Sequence, residues 1–196
     1  EYYNEYLKDF NEVVSLKDDK KTKSISAKRY EIKLEEDLNN KINEYCKENK
    51  ISPYVLFLTA LSTYIYRVKD KNDFVLGTPV LNRANFKEKQ MIGMFVATLP
   101  LRVRVEENIK FIDFAKEIAR NNLSLFRHQK YPYQKTLENI RKTEPGTPNL
   151  YKILLSYQNA RAQKSSVDLP YKVRWSTNKH LADDISHCFH LIHPFQ

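Results

Sequence analysis

Residues 53–68 (PYVLFLTALSTYIYRV) constrain the chain more than any other segment. Val55, Leu56, Phe57, Leu58, Ala60, Leu61, Tyr64, Ile65 and Tyr66 leave almost no polar side, so a helix here belongs in a core rather than on a surface. Its start is signalled by Ser52, whose oxygen suits the free amides of a first turn, followed by Pro53, which the first helical position tolerates. Its end is the polar tetrad at 70–73. A helix of this kind needs a sheet or other helices to surround it, and the remaining sequence supplies both.

The clearest strand is 95–105, where Leu99, Leu101, Val103 and Val105 alternate with Arg102 and Arg104. Residues 74–80 (FVLGTPV) form a short β-like run interrupted by Gly77 and Pro79, as suits a strand ending at a site or an edge. Residues 29–34 (RYEIKL) alternate Tyr30, Ile32 and Leu34 with charges and predict a half-buried strand. Three more strands are expected at 151–157, 171–175 and 185–192. Helical spacing predicts helices over 2–10, 35–50, 111–126 and 133–142, with acids opening and lysines closing the second of these. Residues 15–26 (SLKDDKKTKSIS) read as an exposed loop, and 81–90 as a charged loop. Interspersed helices and strands predict one mixed α/β (two-layer α+β) domain over 1–196, a mixed sheet packed against helices.

Composition narrows the classes. Thirteen Tyr, ten Phe and one Trp are too many for a disordered chain, and three Gly exclude collagen or a glycine linker. No apolar run approaches the ~20 residues of a bilayer-spanning helix, and the start at Glu1 shows no signal pattern. Cys46 and Cys188 stand far apart and predict no disulfide framework, so a soluble, cytoplasmic protein is expected. The net charge of +9 favours an acidic or phosphate-bearing partner. Nucleic acid is not expected, because no groove-reading helix, zinc knuckle or stacking motif accompanies the charge, and the one dense run, 17–28, contains Asp18 and Asp19.

The segment IGMFVATLPLR at 92–102 carries the most information. Read from its residues alone it is a core strand behind a glycine turn. Arg102 is open to two roles, a buried ion pair or a contact to a phosphate-bearing ligand. His128, before a Tyr-Pro turn at a helix end, fits the capping of carbonyls better than catalysis, and Tyr131 and Tyr133 fit packing. The tail HLADDISHCFHLIHPFQ crowds His187, Cys188, His190 and His193 near Asp183 and Asp184, but its spacing matches no closed zinc pattern, so no metal site is expected.

Four segments together resemble one family. IGMFVATLPLR resembles the G-x-F-V-N-T-x-x-x-R motif of the condensation domains of nonribosomal peptide synthetases. VLGTPVLNR (75–83) resembles V-x-G-x-P-x-x-x-R, HQKYPYQ (128–134) resembles H-Q-x-x-P-F-E, and Arg141 through LYKILLSYQN (150–159) resembles the motif that follows. The opening YYNEYL resembles the start of the second half of such domains, and the tail from 180 diverges.

The resemblance implies a chloramphenicol-acetyltransferase-like fold and makes this chain its C-terminal subdomain. It implies amide formation between a donor acyl or peptidyl thioester and an acceptor aminoacyl thioester, each tethered by a carrier protein's phosphopantetheine arm. Gly77, Pro79, Arg83, Gly93, Phe95, Val96, Ala97, Thr98, Arg102, His128, Gln129 and Pro132 are the implied channel or motif residues. The base belongs to an H-H-x-x-x-D-G motif that this sequence lacks, having no adjacent histidines and no Asp-Gly pair. No catalytic residue and no directly bound cofactor are therefore expected. Expected partners are the N-terminal subdomain, carrier proteins and an adjacent adenylation domain, with self-association of the isolated chain. Ala97 stands where the family usually has Asn, Lys130 where Asp is common, and Gln134 where Glu is common. An epimerization, heterocyclization or free-standing acyltransferase relative, or a non-catalytic carrier-binding module, are the alternatives.

Overall fold

The structure is a computed structural model that describes residues 2–10, 12–16, 30, 32–147, 149–159 and 185–191, with positions 158–159 and 185–191 described as backbone. Helices α1 (Tyr2–Tyr6), α2 (Glu36–Asn49) and α3 (Pro53–Lys69) precede strand β1 (Asp73–Val80). Then come α4 (Phe86–Gln90), β2 (Ala97–Arg104), α5 (Phe111–Arg127), α6 (Tyr133–Thr143), β3 (Ile153–Asn159) and β4 (Ile185–Leu191).

The four strands form one mixed sheet in the order β2-β1-β3-β4. β1 and β2 are antiparallel, whereas β1 with β3 and β3 with β4 are parallel. Successive residues 74–78 of β1 are buried, so both faces of that strand are covered. Residues directly opposite in an antiparallel pair share a face, which sorts the hairpin cleanly. Phe74, Leu76 and Thr78 lie with Val103, Leu101 and Leu99 on one face; Val75, Gly77 and Pro79 lie with Arg102, Pro100 and Thr98 on the other.

Helices α3 and α5 pack on each other, and the first face meets them. The Tyr54 hydroxyl of α3 shares a 2.6 Å hydrogen bond with Thr78 Oγ1 and donates to Asn122 Oδ1 of α5 at 3.5 Å. Burial pushes the Tyr54 phenol up to about 12, with the Thr78 bond pulling the other way. As expected, the Ser52 side chain caps α3, accepting from the Val55 amide. Leu58 and Ile65 are fully buried, but Tyr64 and Val68 are exposed. The helix therefore buries one broad side, not its whole circumference.

At the free side of β2, the Tyr6 hydroxyl accepts from the Arg102 amide at 2.7 Å and donates to the Arg102 carbonyl at 3.3 Å. A side chain from α1 thus occupies backbone groups that a further strand would otherwise take.

Three expectations are corrected. Residues 32–35 are not a strand, and Tyr30 and Ile32 are largely exposed; the alternation is present but no described strand lies beside it to pair with. β1 is interior, not an edge. Pro79 is tolerated there because β3 is registered against β1 only at Gly77↔Leu154. Residues 81–90 are not all loop, since Asn85 caps the short α4 by accepting from the Glu88 amide. The expected strand at 171–175 lies outside the described residues, as do residues 17–26 of the expected loop and, apart from the β4 backbone, the tail at 180–196 with its histidines. Among the described residues no helix is long and apolar enough to cross a membrane.

Gly77 is closely packed within the sheet. A Cβ there would stand 2.7 Å from the Tyr151 ring and 3.2 Å from Thr98 Cγ2. Gly77→Ala is expected to lower stability by about 1–3 kcal/mol through overpacking. Urea denaturation should show Tyr151→Leu relieving part of that loss in the double variant.

Candidate functional site

The motif residues divide between two places. Gly77, Pro79 and Thr98 meet on one face where β1 ends and β2 begins, because Pro79 is registered on Thr98 and Gly77 touches it. Ala97, opposite Val80, lies on the other face and packs against the core. Residues 81–96 join the two strands and carry Arg83, Gly93, Phe95 and Val96.

Arg83 organises that connection. Its Nη1 donates to the carbonyls of Glu88 (3.1 Å), Lys89 (3.1 Å) and Met91 (2.7 Å), and its Nη2 to Gly93 (2.9 Å). Its guanidinium also stands 4.5 Å from the centre of the Phe95 ring. The planar fork suits this many acceptors as an ammonium would not. Gly93 has φ +148, a conformation that L side chains rarely adopt, and a Cβ there would meet the Phe95 ring at 3.2 Å. Folded in this way, the connection turns Leu81, Phe86, Met91, Ile92, Met94 and Val96 outward, all exposed. That is more apolar surface than the scattered single residues usual on a soluble protein.

Arg102 lies farther along the hairpin, 4% exposed. Its Nε and Nη2 donate to the two Asp73 carboxylate oxygens at 2.8 and 2.6 Å, and its Nη1 to the carbonyls of Tyr6 and Lys8 at 3.2 and 2.6 Å. Of its two possible roles the geometry realises the ion pair. Asp73 does not stand out as a partner in the sequence, because the match depends on hairpin register. Arg104, on the same strand, is exposed.

His128 caps α5. Its backbone amide reaches the Leu125 and Phe126 carbonyls, its Nδ1 is 3.0 Å from the Ser124 carbonyl, and its ring stacks on Tyr2 at 3.7 Å. The Gln129 amide adds a bond to the Phe126 carbonyl, and Pro132 starts α6. Tyr131 stacks on Tyr3, and the Tyr133 hydroxyl accepts from the Leu150 amide, so both pack as expected. Two contacts are not foreseeable from the motifs. Lys130 Nζ donates to the Asn82 carbonyl at 2.9 Å and to Glu88 Oε2 at 2.8 Å. The spacing of Asn85 and Glu88, a helix-capping pattern, is the available signal for α4 and for Glu88. Among the described residues no cluster of His, Cys, Asp or Glu could hold a metal.

This ordered set of motif segments on a mixed sheet has a match among known families: the condensation-domain profile covers residues 1–185. The chain belongs to that family. Condensation domains of nonribosomal peptide synthetases are accordingly among its relatives. It is 34% identical over 196 residues to surfactin synthase subunit 1 of Bacillus subtilis (strain 168), covering 91% of this chain and 6% of that protein. It is 34% identical over 163 residues to a plipastatin synthase of the same organism, covering 83% and 6%. The first condensation domain of the CDA synthetase superposes with a TM-score of 0.68 at 16% identity, covering 80% of this chain and 34% of that one. That likeness concerns the fold, the chloramphenicol-acetyltransferase-like arrangement of a mixed sheet with helices. The chain thus spans about a third of the solved condensation domain and a small part of the synthases.

Because Arg102 joins β1, β2 and the chain after α1, Arg102→Met is expected to cost about 2 kcal/mol, with the Tyr6 and Lys8 carbonyls losing a donor and the half-buried Asp73 keeping only its longer contact to Arg104. Replacing both partners, as Arg102→Met with Asp73→Asn, should cost less than the sum, read as a double-mutant cycle in urea.

Proposed function

We propose that this chain is the C-terminal lobe of a peptide-synthetase condensation domain, forming one wall of a channel in which two tethered thioesters meet. The acceptor amine attacks the donor thioester carbonyl; an amide forms, and the donor carrier's thiol leaves. The histidine that acts as base or positions the amine lies on the N-terminal lobe. The observation that carries this reading is the exposed apolar connection at 81–96, built from motif residues and turned away from its own core. It has the character of a surface completed by a second lobe, and the span of about a third of a solved condensation domain leaves room for one.

The substrates in this reading are carrier-bound. The phosphopantetheine arm is the tether, with its phosphate and an acidic carrier suiting a chain of net charge +9. An adenylation domain on the same polypeptide would load the acceptor. The residues of this lobe hold and orient; Arg83 and Gly93 shape the wall, and Thr98 with Pro79 borders it.

Two measurements test this. Incubated with loaded donor and acceptor carriers, this chain alone should form no amide, while the polypeptide that also contains an H-H-x-x-x-D-G lobe should, as read by mass spectrometry of the carriers. Loaded carrier should bind this chain at low salt and less well at high salt. Amide formation by the chain alone, or absence of carrier binding at low salt, overturns the reading. Light scattering should also show the isolated chain self-associating, and Ile92→Ser with Met94→Ser should return it toward monomer.

A further inference from the structure

The connection at 81–96 is held from inside by Arg83, but Arg83 belongs to the connection itself and cannot fix where it stands on the rest of the fold. That requires a group anchored elsewhere, and Lys130 is such a group. It sits in the turn between α5 and α6, a turn locked by the backbone bonds of His128, Gln129 and Tyr131 and by the stacking of His128 and Tyr131 on Tyr2 and Tyr3. From there one ammonium reaches two points of the connection: the carbonyl of Asn82, whose own φ is +52, and the carboxylate of Glu88 in α4. Glu88 carries the tie onward, because the same Oε2 accepts from the Ala84 amide at 2.6 Å and its carbonyl accepts from Arg83. The Lys130 ammonium, with the Ala84 amide, holds the Glu88 carboxyl below the usual carboxylate range.

We propose that Lys130 is a positioning residue: by gripping Asn82 and Glu88 together it sets the stance of the apolar tip, Met91, Ile92 and Met94, toward the second lobe. The grip itself stands on geometry alone, while its use in amide formation rests on the reading given under Proposed function. The pair is matched in charge. An aspartate at 130 would set a second carboxylate against Glu88 and lose both bonds.

The amides of Ala84, Glu88, Lys89 and Met91 are each hydrogen-bonded within this connection, so their exchange with solvent reports its opening. In Lys130→Met their exchange by NMR is expected to be about three- to fivefold faster, the scale of a partly exposed ion pair, while amides of α5 keep their rates. Lys130→Arg should stay near the wild type, and Lys130→Asp should be faster than Lys130→Met. Lys130→Met with Glu88→Gln should be no faster than the faster single variant. Unchanged exchange in Lys130→Met, or additive effects of the two substitutions, overturns the proposal. In the polypeptide containing both lobes, amide formation should fall in Lys130→Asp and be retained in Lys130→Arg. If the wild-type polypeptide forms no amide while the exchange pattern holds, the functional reading fails and the grip stands.

Discussion

The ion pair of the buried Arg102 with the half-buried Asp73 is the constraint that ties the hairpin to the rest of the fold. It crosses the hairpin diagonally, from the start of β1 to the far part of β2, and ties the two strands together on one face. The remaining donors of the guanidinium take the carbonyls of Tyr6 and Lys8, which brings the chain after α1 onto the same face. A charge held this far from water is tolerable only when its hydrogen bonds are made, and here four of them are made at once. Phe10 closes the site from above, its ring centre 5.5 Å from the guanidinium carbon. One side chain thus joins β1, β2 and the chain after α1.

Two arginines therefore divide the work of the motif segments. Arg102 directs its donors inside the fold, and Arg83 directs its donors to a connection that would otherwise have little regular structure. Neither presents a free guanidinium in the manner of a catalytic residue. The proposed role as a wall suits this division, since such a surface needs fixed backbone and shaped apolar groups more than it needs an acid or a base.

Much of this was legible in the sequence, and the part that was not has a physical reason. The strong periodicities at 53–68, 95–105 and 111–126 mark elements whose bounds differ from the observed ones by a few residues, because amphipathic spacing reports burial directly. The alternation at 29–34 did not become a described strand, since a strand needs a neighbour and the pattern cannot say whether one exists. β1 was expected to end at a site or an edge; the edge reading failed because proline's missing donor matters only where a neighbour would have used it. Among the candidate residues, Gly77, Gly93 and Arg102 stood out by type and Arg83 through the resemblance. The partners Asp73 of Arg102 and Glu88 of Lys130 did not, because each pairing joins segments whose proximity is created by the fold.

The phenol of Tyr6 has a consequence of another kind. By satisfying both the donor and the acceptor that Arg102 turns outward, it makes one flank of the sheet unreceptive to a stranger's backbone, in the way a selvedge keeps cloth from being woven wider. Any accretion of copies through their strands is thereby disfavoured beside the first helix.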